Sequence, residues 1–187
     1  MVQNNLLAKH SKCVSGLPSV EYLSHFISAH GVATDPRKIV VVQQWPASVN
    51  VKQLGRFLDL AGYYRKFIKG YGLISRPLTD LLKKDSFVWT NVASQFFYPL
   101  KLVLTTASVL AFPDYSLPFV VETDASGTGI GAFLMQNNHC IAFISKGLSP
   151  RHDALSVYER ELLALVFAVT KWSHCLLSQH VIVKTDH

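Results

Sequence analysis

Three short apolar segments, a long amphipathic segment and a fourth apolar segment constrain the second half of this chain. The first three read "PFVVETD", "IGAFLMQ" and "CIAFISK", and turn-forming residues separate them at 127–129 and 137–139. Such spacing predicts an antiparallel three-stranded meander. "SVYERELLALVFAVTKW" then predicts a helix. The final segment, "HVIVKTDH", predicts a strand that a right-handed crossover places parallel to the first strand.

Two carboxylates follow the two strands that this topology makes parallel neighbours. Asp124 ends the first strand and Asp186 ends the fourth, and ligand sites in such sheets form beyond the carboxyl ends of strands. On the helix, Glu159 stands three residues after Ser156, a spacing that predicts a capping box. Glu161 has no such role and lies beside the apolar face that meets the sheet. We therefore expect Asp124, Glu161 and Asp186 to form a cluster of acids.

A cluster of three carboxylates indicates a cation, because like charges at close range destabilise one another. Ligation by oxygen alone favours Mg²⁺ or Mn²⁺. Two such ions would activate a water and stabilise the leaving oxygen of a phosphodiester. Small residues after the first acid would let a nucleic-acid backbone approach closely; these are Ala125, Ser126, Gly127 and Gly129. The alternative is that the three acids are a turn cap, a surface residue and a frayed end.

The whole chain has a net charge of +6, and its basic residues are concentrated before residue 102. Residues 36–101 hold eleven basic and three acidic side chains, whereas residues 102–187 hold five basic and seven acidic ones. This asymmetry suggests that the first part holds a polyanion and the second part processes it. The alternative is a soluble basic protein that has no such partner.

Residues 44–71 predict a helix after a turn, with Asn50 as its cap and Gln53 returning the hydrogen bond. Basic and aromatic side chains occur together along it and would contact phosphates and sugars. The candidate nucleic-acid-binding residues are Arg56, Tyr63, Tyr64, Arg65, Lys66 and Lys69. An amphipathic helix with a solvated basic face is the alternative interpretation.

Two further helices are predicted, and each contains a proline. "PLTDLLKK" predicts a short helix with Pro77 in its first turn, where the missing N–H is tolerated. Residues 91–106 also predict a helix, but Pro99 lies inside it. Because proline removes a donor and clashes with the preceding turn, we expect a kink or a break there.

The cysteines and the apolar segments favour an intracellular protein. Cys13, Cys140 and Cys175 lie far apart, which indicates neither a disulfide framework nor a zinc site. The first residues contain no apolar core of a signal peptide, and no apolar stretch of about 18 residues predicts a membrane span. We expect a reduced chain in the cytoplasm or nucleus that is not secreted and does not bind a membrane.

The segments "TDASGTGIGAFLMQ", "SVYERELLALVFAVTKW" and "IVKTDH" together resemble the ribonuclease H domain of reverse transcriptases from gypsy-type LTR retrotransposons. Earlier segments, among them "VEYLSHFIS", "FLDLAGYYRKFI" and "RPLTDLLKK", extend the resemblance over almost the whole chain. The resemblance implies an α+β fold in three parts. Residues 1–34 would end the polymerase palm with a hairpin at "YLSH", residues 35–106 would form a helical thumb and connection, and residues 107–187 an incomplete ribonuclease H-like mixed sheet.

By this resemblance, Asp124, Glu161 and Asp186 are three of the family's metal-binding acids. The resemblance also implies that the polymerase aspartates, the last strand and a fourth acid lie outside this sequence. Ser24 replaces a glycine of the family's "YLGH". Within the thumb helix, "LGRFLDLAGYYR" replaces "LRGFLGLAGYYR", which introduces Gly55 and Asp59.

The resemblance implies the enzyme class that hydrolyses the RNA strand of RNA–DNA hybrids with Mg²⁺ or Mn²⁺, using two ions where the site is complete. We expect this chain to be inactive alone, since the implied fourth acid lies outside it. The alternatives are a nucleic-acid-binding remnant without catalysis and a non-functional product of a degenerate element. A complementing reverse transcriptase chain is a further open question.

Overall fold

The computed structural model describes residue 9 and residues 13–152 and 154–185, and within these ranges it contains seven β-strands and five α-helices. A three-stranded sheet comes first, four helices follow, and a four-stranded sheet with its covering helix completes the order. The elements are β1 (Ser19–Tyr22), β2 (His25–Ser28), β3 (Gly31–Thr34), α1 (Pro36–Gln44), α2 (Val51–Tyr63), α3 (Tyr71–Asp80), α4 (Asn91–Thr105), β4 (Phe119–Ala125), β5 (Gly129–Gln136), β6 (His139–Gly147), α5 (Val157–Leu176) and β7 (Val181–Lys184).

The first sheet is antiparallel in the order β1-β2-β3. Leu23 and Ser24 form the two-residue turn between β1 and β2, both with positive φ, 46° and 54°. Two consecutive left-handed residues are what a tight hairpin turn requires. The hairpin predicted at "YLSH" is confirmed. The sheet is tied to the rest of the chain by a bridge between Val32 and Leu110.

Helix α2 begins where the sequence predicts but ends earlier. The Asn50 side chain accepts a hydrogen bond from the Gln53 N–H at 2.9 Å. The Gln53 side chain in turn accepts a hydrogen bond from the Val49 N–H, whereas the prediction gave the Asn50 N–H as the donor. The predicted helix extends too far toward residue 71, because Tyr64 leaves the helical region and a 3₁₀ turn follows at Arg65–Phe67.

Pro77 does not lie in the first turn of its helix. Helix α3 begins at Tyr71, after Gly70 adopts a left-handed conformation with φ 69°, and Pro77 is in its interior. The start of α3 is therefore set by a glycine that can reverse the chain. The sequence prediction missed this because it read the proline as the start signal.

Helix α4 runs without a break through Pro99. Of the two predicted outcomes, the break is wrong, and the kink stays a prediction. Three apolar side chains of this helix are completely buried, namely Phe97, Leu100 and Leu104. Their packing keeps the helix together although Pro99 supplies no N–H donor.

The helices share one core that also reaches the edge of the second sheet. Its largest members are Tyr64, Phe57 and Phe97, all fully buried, and Phe143 of β6 packs against them. Gly72 of α3 donates its N–H to Ser145 Oγ of β6 at 2.7 Å. Helix α3 therefore packs directly on β6.

The second sheet has the order β6-β5-β4-β7. Strands β4, β5 and β6 are antiparallel neighbours, and β7 pairs parallel with β4 from Phe119 opposite Val181 to Glu122 opposite Lys184. The predicted mixed sheet, with its meander and parallel fourth strand, is confirmed. The α+β fold class is confirmed with it.

Helix α5 connects β6 to β7 and covers one face of this sheet. Ser156 and Glu159 form the predicted capping box at its start. Ala164, Ala168 and Trp172 follow one another along its buried side and contact the sheet. Neither α5 nor any other helix in the described ranges is long and apolar enough to cross a membrane.

The predicted domain boundaries at 34/35 and 106/107 each fall directly after a regular element. The first follows β3, and the second follows the C-terminal turn of α4. The assignment of the three parts to palm, thumb with connection, and ribonuclease H-like domain stays a prediction.

Candidate functional site

Asp124 is the second-last residue of β4, is exposed, and lies opposite Gly131 of β5. Side chains alternate between the two faces of a strand. Val121 and Thr123 are buried beneath α5, so Asp124 points to the other face. There it lines a pocket of 110 Å³ together with Lys69 and Phe133.

Lys69 brings a cation to this pocket from the segment between the 3₁₀ turn and α3. Its Nζ lies 4.4 Å from the centre of the Phe133 ring, within the range of a cation–π contact. Asp124 takes part in none of the salt bridges found among the described residues. The pocket therefore combines a carboxylate with an ammonium that the aromatic ring holds.

Glu161 lies at the same end of the sheet as Asp124 but approaches from the opposite face. It is half-buried and stands three residues before Ala164, which packs against Ala125 and Ile130 where β4 ends and β5 begins. The buried side of α5 begins after Tyr158, one turn before Glu161, because Tyr158 is 77% exposed. The position of Glu161 beside the buried side rests instead on Ala164 and Ala168.

Asp186 lies outside the described residues, so the predicted cluster of three acids stays a prediction. The last observed pair between β4 and β7 is Glu122 opposite Lys184. Asp124 and Asp186 each follow that pair by two residues. Among the residues that the structure describes, no group of three or more His, Cys, Asp or Glu side chains is placed to hold a metal ion.

The donors at this end of the sheet fit a hard divalent cation in their chemistry. Both described acids offer carboxylate oxygens, which Mg²⁺ and Mn²⁺ prefer. Thr123 Oγ1, next to Asp124 in the chain but on the α5 face of the sheet, is buried and has no hydrogen-bond partner among the described residues.

The turn after Asp124 is held by Ser126 and by the packing of α3. Ser126 Oγ accepts hydrogen bonds from the N–H groups of Thr128 and Gly129, at 3.3 and 3.2 Å. A Cβ atom at Gly129 would collide with Leu73 Cδ2 of α3 and lie 2.9 Å from the Lys146 carbonyl oxygen. Gly129 therefore serves the contact between helix and sheet. The expectation that it opens the site to a nucleic-acid backbone is wrong.

Arg160 also belongs to this region, although the sequence reasoning did not select it. Its Nη2 donates to the Leu155 carbonyl oxygen at 2.7 Å. A Cβ atom placed on Gly127 would lie 3.6 Å from its Nη1. The guanidinium thus stands between the start of α5 and the turn after β4. The available signal was a basic residue directly beside Glu161.

Five of the six predicted nucleic-acid-binding residues are exposed, namely Arg56, Tyr63, Arg65, Lys66 and Lys69. Tyr64 is completely buried, and its hydroxyl donates to the Ser24 carbonyl oxygen at 3.1 Å. Burial raises the pKa of Tyr64 to about 12. The prediction for Tyr64 is wrong, because its ring belongs to the core and cannot meet a ligand.

Tyr63 also has a structural role, since it fastens the β1–β2 hairpin to the end of α2. Its hydroxyl donates to the Leu23 carbonyl oxygen, and its ring centre lies 5.2 Å from that of His25. Burial, and secondarily the charge of Lys66, lowers the pKa of His25. Nε2 of His25 is buried and has no hydrogen-bond partner in the part of the chain that the structure describes. The hairpin is therefore held against the helical region by aromatic contacts.

The sequence-family comparison decides the assignment. The model of the family described as "RNase H-like domain found in reverse transcriptase" matches residues 89–183, which include α4, β4 to β6, α5 and all but the last residue of β7. The chain belongs to this family. Its mixed sheet is accordingly the RNase H-like sheet, and the helical region that packs on β6 precedes it.

Relatives of this RNase H-like chain include polyproteins of mobile elements. It is 35% identical to the retrovirus-related Pol polyprotein from transposon 297 of Drosophila melanogaster, over 98% of this chain and 18% of the relative. It is 34% identical to that from transposon gypsy, over 100% and 19%. An uncharacterized mitochondrial protein of Arabidopsis thaliana is 48% identical, over 64% of this chain and 77% of the relative.

The resemblance to gypsy-type retrotransposon proteins is confirmed by these relatives. The chain spans about a fifth of the length of the Pol polyproteins that it matches.

Solved structures show the same fold. The foamy viral protease-reverse transcriptase in complex with RNA/DNA hybrid superimposes with a TM-score of 0.83 at 20% identity, over 91% of this chain and 24% of that chain. The same viral protein in complex with dsDNA gives 0.82 at 21% identity, over 90% and 37%. The helical region and the sheet thus share one known arrangement.

Proposed function

We propose that this chain is the part of a retrotransposon reverse transcriptase that holds an RNA–DNA hybrid and that belongs to the class hydrolysing its RNA strand. One observation carries the proposal. Asp124 of β4 and Glu161 of α5 lie at the same end of an RNase H-like sheet, Asp124 on one face and Glu161 on the other, so a cation shared by both would sit beyond the strand ends. In the sequence, Asp124 stands two residues after Glu122 and Asp186 two residues after Lys184, and Glu122 and Lys184 are the last paired residues of β4 and β7.

Asp124, Glu161 and Asp186 would hold the divalent cations, Mg²⁺ or Mn²⁺. When bound, such ions activate a water and stabilise the leaving oxygen of a phosphodiester. Lys69, in the pocket that Asp124 lines, would neutralise a phosphate of the bound strand. Ser126 would keep the turn beside Asp124 rigid through its hydrogen bonds to Thr128 and Gly129.

Nucleic-acid binding is proposed for the exposed basic side chains of α2 and the segment after it. Arg56, Arg65, Lys66 and Lys69 are exposed, and residues 36–101 have a large excess of basic side chains. Contacts of this kind with phosphates do not depend on base sequence and weaken as salt rises. The foamy viral complexes with hybrid and dsDNA support a duplex as the ligand.

Binding without hydrolysis is the second candidate, and the position of Lys69 favours it. The Lys69 ammonium lies in the pocket of Asp124 and partly neutralises that carboxylate, so a metal cation is less necessary to balance its charge. A phosphate of the hybrid would then be held beside Asp124 without being cleaved.

Cleavage of a labelled RNA–DNA hybrid in Mg²⁺ or Mn²⁺ tests the proposal, with Glu161→Gln and Glu159→Gln as a matched pair. Both changes remove one charge from α5 without changing the shape of the side chain. Glutamine also serves in a capping box, so Glu159→Gln preserves the helix start. Because the chain alone is expected to be inactive, the assay is also run with a complementing reverse transcriptase chain. In whichever sample cleaves the hybrid, we expect Glu161→Gln to lower cleavage about a hundredfold and Glu159→Gln to leave it within about twofold of the unchanged chain.

Hybrid binding without cleavage in either metal would support the second candidate. If Glu159→Gln lowered cleavage as much as Glu161→Gln, Glu161 would not be a metal ligand. A chain that neither bound nor cleaved the hybrid would contradict both candidates.

A further inference from the structure

A second pocket, of 480 Å³, lies along the free edge of β6. We name it the edge pocket. It is bounded by residues 141–145 of β6, by the C-terminal half of α5 and by the segment from Tyr63 to Tyr71. Its volume lies within the range of small-molecule sites, about 300–1,000 Å³. Asp124 does not line it, so it is distinct from the candidate site described above.

The edge pocket is closed at both ends of the strand. Ala111 donates its N–H to the Cys140 carbonyl oxygen at 2.8 Å, and Gly72 donates its N–H to Ser145 Oγ at 2.7 Å. Only the four residues 141–144 have an open edge, a length of about 13 Å. A long added strand would collide with both closures, whereas a compact ligand would fit between them.

Phe143 offers a donor and an acceptor inside this opening. The Ser145 carbonyl oxygen faces α3, 2.9 Å from a Cβ placed on Gly72, whereas the Lys146 carbonyl oxygen faces β5. Backbone groups alternate in direction along an antiparallel strand. The N–H and C=O of Phe143 therefore point away from β5. No hydrogen bond outside the sheet uses either group among the described residues. Such an adjacent donor and acceptor can pair with the edge of a heterocyclic base.

Aromatic and apolar side chains form the floor of the edge pocket. Phe143, Phe167 and Trp172 line it together with Ile144. Trp172 is 6% exposed and belongs to the core of the sheet and α5, so it supports the floor from below, and the half-buried Phe143 and Phe167 provide the aromatic surface. A rigid aromatic surface of this kind favours stacking with a base, worth about 1–3 kcal/mol in single-stranded nucleic-acid complexes.

The rim of the edge pocket is basic on both sides. Arg65 and Lys66 stand on the side of the 3₁₀ turn, and Lys171 and His174 on the side of α5. No carboxylate lines the pocket, and none of these four side chains takes part in a salt bridge found among the described residues. Burial lowers the pKa of Lys66. An anionic ligand would relieve this partial desolvation and the mutual repulsion of the cations.

We propose that the edge pocket binds a nucleotide unit, a heterocyclic base joined to phosphate. The base would stack on the aromatic floor and pair with the Phe143 backbone, and the phosphate would contact Lys171 and Lys66. The unit is either a free nucleotide or one residue of a single strand, since both present the same chemistry. This inference goes beyond the proposed function, because the pocket uses neither the acids nor Lys69. It shares Arg65 and Lys66 with the basic side chains proposed for the duplex, and Lys171 belongs to the edge pocket and not to that set.

Fluorescence anisotropy of ATP labelled with methylanthraniloyl on its ribose tests the pocket on the whole chain. EDTA is present, so that the result does not depend on the candidate metal site. We expect unlabelled ATP to displace the probe at a concentration about tenfold lower than inorganic triphosphate alone or adenosine alone. Lys171→Glu should weaken binding at least about tenfold, whereas Lys84→Glu, the same change at an exposed site outside the pocket, should alter it less than about twofold.

Two further measurements distinguish a single strand from a free nucleotide and locate the bound ligand at Phe143. Displacement by an eight-residue oligo(dT) at a concentration at least about tenfold below that of dTMP assigns the pocket to a single strand, and equal concentrations assign it to free nucleotides. Hydrogen exchange of the Phe143 amide should slow when ATP binds. Equal weakening by Lys171→Glu and Lys84→Glu, equal displacement by triphosphate and ATP, or no displacement by ATP at about 1 mM would overturn the proposal.

Discussion

At the scale of single residues, the turn between β1 and β2 stores strain that its sequence could avoid. Ser24 has φ 54°, a left-handed conformation that is unfavourable for residues with a Cβ atom. Two hydrogen bonds hold the turn in this conformation. The Ser24 carbonyl oxygen accepts one from the Tyr64 hydroxyl, and the Leu23 carbonyl oxygen accepts one from the Tyr63 hydroxyl. The contacts that hold the hairpin use the backbone of the turn and do not require its side chains.

We therefore expect Ser24→Gly to raise the free energy of unfolding by about 0.5–1 kcal/mol, because glycine adopts positive φ without strain and keeps the carbonyl oxygen. Chemical denaturation followed by circular dichroism measures the change. Ser19→Gly in β1, where φ is not positive, is the matched control and should lower stability. If Ser24→Gly lowered stability as much as Ser19→Gly, the turn would not be strained.

Residue roles were predictable where a local motif decides them. The spacing of Ser156 and Glu159 identified the capping box, and this left Glu161 as the candidate ligand. Tyr64 shows the opposite case. Its burial depends on a helix that ends at Tyr63 and on a hairpin about 40 residues earlier. The sequence around Tyr64 contains no sign of that distant partner, so the ring was assigned to the surface.

At the scale of elements, the meander, α5 and β7 were predictable because turn residues and periodicity agree over whole segments. The helices before them were predicted less well. Their limits depend on Gly70, which reverses the chain before α3, and on buried packing that carries α4 through Pro99. In α4, tertiary packing outweighed the local preference of proline.

Gly129 and Gly55 make this dependence on packing testable, because one lies against another element and the other does not. A Cβ at Gly129 would collide with Leu73 of α3, whereas a Cβ at Gly55 in α2 would meet no atom within 4 Å. We expect Gly129→Ala to lower the free energy of unfolding by about 1–3 kcal/mol through overpacking. Gly55→Ala should raise it by about 0.5–1 kcal/mol through helix propensity. Urea denaturation of both variants measures the two effects.

If Gly129→Ala were as stable as the unchanged chain, α3 would not rest on the sheet as described. The pair is informative as a set, because the same added methyl group is expected to act in opposite directions at the two sites.

At the scale of the whole molecule, the helical region and the sheet are joined at β6, and this joint creates two separate basic surfaces. Lys69 faces the pocket of Asp124, whereas Lys171 faces the edge pocket. The sequence predicted a basic first part and a sheet with acids at one end. It did not predict the two pockets, because each contains residues more than 50 positions apart that only the packing of α3 on β6 brings together.

These two surfaces are expected to respond to different ligands. Lys69→Glu should weaken binding of an RNA–DNA hybrid. It should also reduce the magnitude of the slope of log K against log salt by about 1, because one phosphate contact is lost. It should leave ATP binding within about twofold. Lys171→Glu should do the reverse, since its ammonium lines only the edge pocket. Hybrid binding across a salt series and ATP anisotropy, measured on both variants, test this separation. If each variant weakened both ligands equally, the two pockets would act as one continuous nucleic-acid surface around β6.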